Sequence, residues 1–169
     1  MVQDESIFVY DYLIKRKKWI SAGKRPIVTV TVTGSRKRTI VFGCLSLDSN
    51  KQLFKQYDKF NSNTFVDYLK HVQKRFGKCI MFVDRATPHC SKITKRFLDS
   101  NKDTIIRLEH FPVGSPEFNA VEECWRQGKY HILSSYYSTF DFLKDTISYY
   151  YRTTRFNLDI VKYLMRSTK

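Results

Sequence analysis

The spacing of apolar residues along the chain predicts strands first and then helices alternating with strands. The run Cys79–Val83 is apolar throughout and stops at Asp84, which is typical of a buried strand that delivers an acid to the open end of a sheet. β-branched and apolar residues predict further strands at 27–33, 39–47 and 104–109. Turn residues at 34–37 join the first two of these strands as a hairpin.

Capping residues and helical periodicity predict two helices in the middle of the chain. The first begins after Asn61 and is stopped by Gly77. Its apolar face is formed by Phe65, Tyr68 or Leu69, Val72 and Phe76. The second helix spans Ser91–Leu98 and is expected to turn Ile93 and Phe97 inward.

A third helix is predicted to begin after Ser115, a candidate N-cap, and to reach His131. Its apolar face follows the spacing i, i+3, i+7 at Phe118, Val121 and Trp125. The C-terminal region predicts one or two more helices, at 139–151 and 158–165. The tyrosines at 149–151 continue this helical pattern, so they are interpreted as packing residues rather than base-stacking residues.

The first residues of the chain are harder to assign to an element. Met1–Asp4 is too short for an ordinary strand, which runs about five or six residues. The first strand therefore either starts later or is normally preceded by residues that this sequence does not include. The segment Ile7–Ile14 is apolar but ambiguous.

Asp84 and Glu122 are candidates for a metal site. Asp84 follows the buried strand, and Glu122 lies beside the apolar face of the third helix, where packing on the sheet would aim it at the end of that strand. Two carboxylates that converge from different elements favour a divalent cation. Taken singly, each has a simpler interpretation: Asp84 as a helix cap, and Glu122 as a solvated acid on a helix rim.

The residues around these two acids resemble a known family. Asp84 and His89 follow the buried strand with four residues between them, and the segment Ser115–Trp125 reads Ser-Pro-Glu-Phe-Asn-Ala-Val-Glu-Glu-Cys-Trp. These motifs resemble the catalytic core of DDE transposases of the mariner-like superfamily and their bacterial insertion-sequence relatives. Near the N-terminus, 4–6 resembles the family's Asp-Glu-Ser at the end of the first strand, and 19–26 resembles its Trp-x3-Gly segment.

The resemblance implies a ribonuclease H-like fold of the α/β class, a mixed sheet flanked by helices with extra C-terminal helices. It implies that Asp4, Asp84 and Glu122 are both the catalytic residues and the ligands of two Mg²⁺ or Mn²⁺ ions. The implied reaction is hydrolysis of DNA at transposon ends, followed by strand transfer by the freed 3′-hydroxyl.

Further residues near the acids have expected supporting roles. Asn119 lies one turn before the helix acid and is expected to hold the loop or to orient Glu122. Arg85 and His89 are placed to touch the scissile phosphate, although helix capping or packing explains them nearly as well. The neighbouring acids Glu5 and Glu123 are not selected by the family pattern.

The charge balance indicates a polyanionic partner. The 169 residues include 30 Lys plus Arg against 16 Asp plus Glu, a formal net charge of +14. Such an excess predicts binding to nucleic acid, although each basic run alone is more often a solvated surface. The expected DNA-contacting residues are Lys15, Arg16, Lys17, Lys18, Arg36, Lys37, Arg38, Arg85 and His89.

Cysteine usage and hydropathy limit the other classes. The four cysteines are scattered with no Cys-x2-Cys pair, which fits a reducing compartment. A zinc site built from Cys90, Cys124 and His89 is an alternative, but it lacks the usual ligand spacing. No apolar run approaches the roughly 20 residues that span a bilayer, and the N-terminus is acidic where a signal peptide is basic. We therefore expect a cytoplasmic, nucleoid-associated protein of a prokaryotic host, with no membrane partner.

The chain is predicted to form a single domain, 1–169, because it shows no internal repeat or low-complexity linker. Full-length relatives carry helix-turn-helix modules before the first catalytic Asp, and none is present in this sequence. Recognition of transposon ends is therefore expected to be weak in this chain alone. DNA and a second copy, in a synaptic homodimer, are the expected partners. The alternative function is a non-catalytic DNA-binding or assembly protein that retains the fold.

Overall fold

The computed structural model describes residues 1–10, 37–47, 49, 51–101, 106–112 and 118–158. In chain order, the elements of this part are β1 Val2–Val9, β2 Arg38–Leu45, β3 Gln52–Tyr57, α1 Ser62–Phe76, β4 Cys79–Val83, α2 Thr87–Cys90, α3 Lys92–Asp99, β5 Ile106–His110, α4 Val121–Ile132 and α5 Phe140–Thr153. Across these residues, no helix has the length and apolar character to span a bilayer.

The five strands form one mixed sheet in the order β3-β2-β1-β4-β5. The strand β2 is antiparallel to both of its neighbours, whereas β4 is parallel to β1 and to β5. In this register Asp4 lies opposite Gly43 of β2, and Gly43 lies opposite Phe54 of β3. Three strands therefore meet in one line at the level of Asp4.

Two hydrophobic cores cover the two faces of the sheet, because successive strand residues point to opposite sides. On β2, Val41 and Leu45 face α4 and α5, whereas Phe42 and Cys44 face α1. The α1 face is closed by the predicted apolar stripe of that helix, of which Phe65, Tyr68, Leu69 and Val72 are fully buried.

The helix α1 confirms the limits that its capping residues predict. The Asn61 side chain accepts hydrogen bonds from the backbone N–H groups of Asn63 and Thr64, each at 3.0 Å. Gly77 ends the helix with φ of 69°, in the left-handed region that favours glycine. The strand predicted at Cys79–Val83 is likewise present over those residues.

The first strand corrects the prediction made for the N-terminus. Rather than being cut short at Asp4, β1 continues for 8 residues to Val9, and Asp4 lies within it rather than at its end. The edge strand β3 had no counterpart in the predicted elements. Its sequence, Gln-Leu-Phe-Lys-Gln-Tyr, lacks the alternation of apolar and polar residues that marks a strand with one buried face. Most of these residues are half-buried in the structure.

Two helices differ from prediction in detail. The helix α4 begins at Val121, and Phe118, predicted to lie on its apolar face, precedes it and is 41% exposed. In α3, Ile93 was predicted to face inward but is 46% exposed, and Thr94 is buried instead. The predicted N-cap at 115, the strand at 27–33 and the helix from 159 onwards lie outside the described residues.

The tyrosines near the end of α5 divide according to their helical position. Tyr151 is buried and packs against Phe54 and Trp125, as predicted. Tyr149 is 62% exposed, so the prediction that it packs is wrong.

Candidate active site

Asp4 lies on the sheet face covered by α4. Its Oδ2 accepts a hydrogen bond of 2.8 Å from the indole Nε1 of Trp125, a buried residue of that helix. Burial, followed by the charges of Glu122 and Glu5, raises the pKa of Asp4 to about 7, and the hydrogen bond from Trp125 opposes the rise. The carboxylate of Asp4 is thus held in position, with no cationic partner among the described residues.

Gly43 makes room for the ring that holds Asp4. A Cβ at this position would lie 2.5 Å from the Phe54 ring and 2.6 Å from the Trp125 ring, closer than side chains pack. The two rings meet edge to face above the glycine, with centroids 5.6 Å apart. The absence of a side chain on β2 therefore allows Trp125 to reach Asp4.

Asp84 lies just beyond β4 and beside Asp4 in the sheet. Because Val2 pairs with Phe82 on the parallel strand β4, the same register places Asp4 at the level of residue 84. Asp84 Oδ1 is 2.7 Å from His89 Nδ1 and accepts a 2.8 Å hydrogen bond from the backbone of Ala86. The hydrogen bond from His89 is the main cause that holds the pKa of Asp84 below its usual value.

His89 links Asp84 to Glu5, an acid on the opposite face of β1 from Asp4. His89 is 3% exposed, its ring centroid lies 4.3 Å from that of Phe65 with the two planes tilted by 48°, and its Nε2 is 3.0 Å from Glu5 Oε1. Burial lowers the pKa of His89, but its contacts with Asp84 and Glu5 outweigh this and raise it to about 10. Both ring nitrogens therefore donate at neutral pH.

This environment revises the expectation for His89. A buried ring with both nitrogens occupied supports Asp84 and is not placed to contact DNA. The role of Glu5 was missed in the sequence, where it was only a neighbour of Asp4. The two-residue period of a strand could have indicated this role, since it places consecutive acids of one strand on opposite faces of a sheet.

Asn119 connects the start of α4 to the strand that carries Asp4. The side chain is buried, and its Nδ2 donates a 3.1 Å hydrogen bond to the backbone carbonyl of Gln3. The backbone carbonyl of Asn119 accepts from the N–H of Glu122 at 3.0 Å. Asn119 thus lies between β1 and the first turn of α4, where the expected supporting role would place it.

The carboxylates of Asp4, Asp84 and Glu122 suit a hard cation, although the three do not form a ready-made cluster around one point. Among the described residues, no three His, Cys, Asp or Glu side chains are arranged so that they could hold a metal ion. The negative charge of Glu122 nevertheless repels that of Asp4. A divalent cation between these two acids would attract both carboxylates and offset the repulsion. Asp84 takes both of its hydrogen bonds through Oδ1, so Oδ2 of this exposed side chain remains available. Oxygen donors of this kind fit Mg²⁺ or Mn²⁺.

The alternative zinc site does not form. Cys124 is buried in the core under α4 and α5, on the opposite side of the sheet from the ring contacts of His89. Cys90 is exposed, and its Sγ lies 3.9 Å from His110 Nε2.

The predicted DNA-contacting residues divide between described and undescribed parts of the chain. Lys15, Arg16, Lys17, Lys18 and Arg36 lie outside the described residues. Lys37, Arg38 and Arg85 are exposed. Arg38 pairs with Val9, five residues beyond Asp4 along β1, which is about 17 Å at the rise of a strand.

Comparison with known proteins identifies the family and the fold. A model of the family described as DDE superfamily endonuclease matches residues 1–144. No curated protein matches the chain in sequence. Among solved structures, the chain resembles the Mos1 strand transfer complex, with a TM-score of 0.68, 14% identity, and coverage of 99% of this chain and 52% of that chain. It also resembles the Mos1 mariner paired end complex with Mn, with a TM-score of 0.63, 13% identity, and coverage of 98% and 51%.

A shorter relative aligns over more of its own length. The structure of the Mos1 transposase catalytic domain and Raltegravir with Mg gives a TM-score of 0.59 at 14% identity, with coverage of 99% of this chain and 79% of that chain. By contrast, the chain spans about half the length of the matched chains in the two complexes named first. These likenesses confirm the predicted ribonuclease H-like fold, a mixed sheet flanked by helices.

The acids on β1, after β4 and on α4 all fall within the segment that matches the family. The family match confirms that the sequence motifs belong to the DDE superfamily, and the solved structures share the fold that the resemblance implied. The chain belongs to the DDE superfamily of endonucleases.

Proposed function

We propose that this chain is the catalytic domain of a transposase, which hydrolyses phosphodiester bonds at transposon ends and transfers the freed strand. The observation that carries the proposal is the position of Asp4 and Asp84 at one level of two adjacent parallel strands. Glu122, on the helix that packs over Asp4, lies close enough for its charge to raise the pKa of that acid. Three acids contributed by neighbouring elements fit phosphoryl transfer better than a structural role, which supports the proposal.

Asp4, Asp84 and Glu122 would hold two Mg²⁺ or Mn²⁺ ions. When bound, such a pair of ions lowers the pKa of the attacking water or 3′-hydroxyl and stabilises the leaving oxygen. The protein's own contribution is to hold the ligands still: Trp125 fixes one oxygen of Asp4, and His89 fixes one oxygen of Asp84.

DNA and a second copy of the chain are the proposed partners. The formal net charge of +14 favours a polyanion. Two of the similar structures are a Mos1 strand transfer complex and a Mos1 transposase paired-end complex with the left transposon end. We extend to this chain the binding of transposon ends and pairing as a synaptic homodimer.

Nicking of supercoiled DNA tests the proposal. The wild-type chain should nick the plasmid only when Mn²⁺ or Mg²⁺ is present. Asp84→Asn keeps the shape of the side chain but removes the charge that holds a divalent ion. Loss of several kcal/mol of transition-state stabilisation should lower the rate by roughly a thousandfold or more.

Two neighbouring acids of α4 supply a matched control. Glu122→Gln should abolish nicking, whereas Glu123→Gln should be nearly silent, because Glu123 bonds Arg126 and Gln127 on its own helix. Activity lost in Glu123→Gln and kept in Glu122→Gln would mean that the helix acid is assigned one position off. Metal-dependent cleavage that survives both Asp84→Asn and Glu122→Gln would replace the catalytic proposal with that of a non-catalytic DNA-binding protein.

A further inference from the structure

An open groove of about 560 Å³ lies along the free edge of the sheet. It follows β3, the last strand in the sheet order, and is flanked by α1 and α5, which cover opposite faces of the sheet. Arg75 reaches it from the last turn of α1, Arg152 from the last turn of α5, and Arg155 from the segment that follows α5. Lys55 lies on β3 itself.

The lining of this groove has charge of one sign. Among the described residues, it contains these four cations and no acidic residue. The arginines Arg75, Arg152 and Arg155 are exposed and have no carboxylate partner in the described part of the chain. Lys55 is held in place by α1, since its Nζ lies 2.6 Å from His71 Nε2.

Two exposed arginines elsewhere on the protein surface form ion pairs with carboxylates. Arg107 is 2.6 Å from Glu109 on the same strand, and Arg126 forms two 2.6 Å contacts with Glu123 on the same helix. The arginines of the groove therefore differ from these in facing a common open space without an acid.

We propose that this groove, formed by Lys55, Arg75, Arg152 and Arg155, binds the sugar-phosphate backbone of nucleic acid. Planar guanidinium groups match phosphate oxygens in a two-point geometry, and a row of neighbouring cations suits a chain that carries one charge per phosphate. A second copy of this chain is a poorer occupant, because pairing of β3 with β3 would bring two identical sets of cations together. Charged side chains on an edge strand also oppose strand addition.

The groove is separate from the candidate active site but close to it. Its strand β3 is two strands away from β1, about 10 Å at the usual strand spacing, and Phe54 of the groove lies in line with Asp4 through Gly43. A nucleic acid held there would be anchored beside the acids rather than on them. The inference rests on the proposed function only for the choice of DNA as the nucleic acid, since binding requires neither the acids nor a metal.

Fluorescence anisotropy with a labelled DNA duplex of random sequence, in buffer with a chelator, tests the groove. The variant Arg75→Gln/Arg152→Gln/Arg155→Gln removes three exposed charges. The control Lys78→Gln/Lys95→Gln/Arg96→Gln removes three exposed charges from the β4 and α3 side. If the three arginines each contact a phosphate, the slope of log affinity against log salt should fall by about 2.7, and affinity at 100 mM salt should fall by roughly several hundredfold. The control should keep the wild-type slope to within about one contact.

Three results would overturn the proposal. One is a wild-type affinity and salt slope in the groove variant. Another is an equal loss in the control variant, which would mean that only net charge matters. The third is a groove variant that changes the sedimentation behaviour of the protein but not its DNA binding, which would make the edge a contact between copies. The assay contains a chelator and measures binding without cleavage, so a failure of the catalytic proposal in the nicking assay leaves the groove result unaffected.

Discussion

Asp4 and Asp84 stand side by side in the sheet, yet the protein holds them by opposite means. Asp4 is bonded to a neutral indole and faces other acids, so its pKa rises to about 7. Asp84 is bonded to a histidine whose own pKa is raised to about 10, so the pKa of Asp84 falls. Within the described part of the chain, Asp84 has a cationic partner and Asp4 has none.

The difference shows which acid depends most on a metal. Asp84 already has a charged partner, so its carboxylate is ionised and oriented before any ion arrives. Asp4 competes with a proton near neutral pH, and a divalent cation would displace that proton. Metal binding and pH should therefore act chiefly through Asp4, and changes near His89 should act through Asp84.

Among the residues that hold the two acids in place, the largest effect is expected for His89→Gln. Losing the partner that orients Asp84 should lower metal-dependent nicking by about 10- to 100-fold, with His131→Gln, an exposed histidine of α4, as the matched control. The variant should also be less stable, because Glu5 stays buried without its cation.

The pH dependence of unfolding separates the charge of His89 from its packing. A histidine whose folded pKa is raised stabilises the fold fully below its unfolded value of 6.5, and this stabilisation is lost as pH rises through about 10. Urea unfolding of wild type should therefore show falling stability across that window, and His89→Gln should not share the fall. An equal slope of stability against pH in both proteins would mean that the raised pKa does not belong to His89.

The next effect is expected for Gly43→Ala, which tests how Asp4 is held. The new methyl group would overlap the rings of Phe54 and Trp125, and overpacking of this kind costs about 1–3 kcal/mol in the free energy of unfolding. The emission spectrum of tryptophan should shift as the Trp125 ring moves. Gly77→Ala is the control: nothing lies within 4 Å of its new methyl group, so its cost comes from a φ of 69° alone and the emission should not change.

The smallest effect is expected for Trp125→Phe, read from the pH profile of nicking. Asp4 must lose its proton to bind a cation, so wild-type activity should rise with pH through about 7. Removing the indole donor takes away a hydrogen bond to the charged form, which should raise the midpoint by about one pH unit. Tyr151→Phe, in the same aromatic cluster but bonded to the backbone of Cys124, should leave the midpoint where it was.

Elements with local signals were predicted well from the sequence. The limits of α1 follow from side chains within the helix and its caps, at Asn61 and Gly77, so no distant contact is needed to define them. The same holds for Cys79–Val83, because an uninterrupted apolar run is itself a local strand signal, although only Met81 and Val83 are buried and Ile80 is 49% exposed.

Elements whose residues are completed by distant partners were predicted poorly. The acids in β1 interrupt its apolar pattern, and only Trp125 and His89, more than eighty residues away, make those acids compatible with a strand. The edge strand β3 packs with mixed polarity, since its polar residues find partners such as the backbone of Thr154.

The identity of the candidate acids could be proposed from the sequence alone, because the motifs around Asp84 and Glu122 are compact and Asp4 lies in a recognisable triplet. Their environment could not. That Gly43 leaves space for Trp125, that Glu5 meets His89 on the α1 face of the sheet, and that four cations share the β3 edge are consequences of strand register and helix packing. A linear pattern specifies which face a residue occupies, but the partner it meets there is contributed by other elements, and only the tertiary structure brings them together.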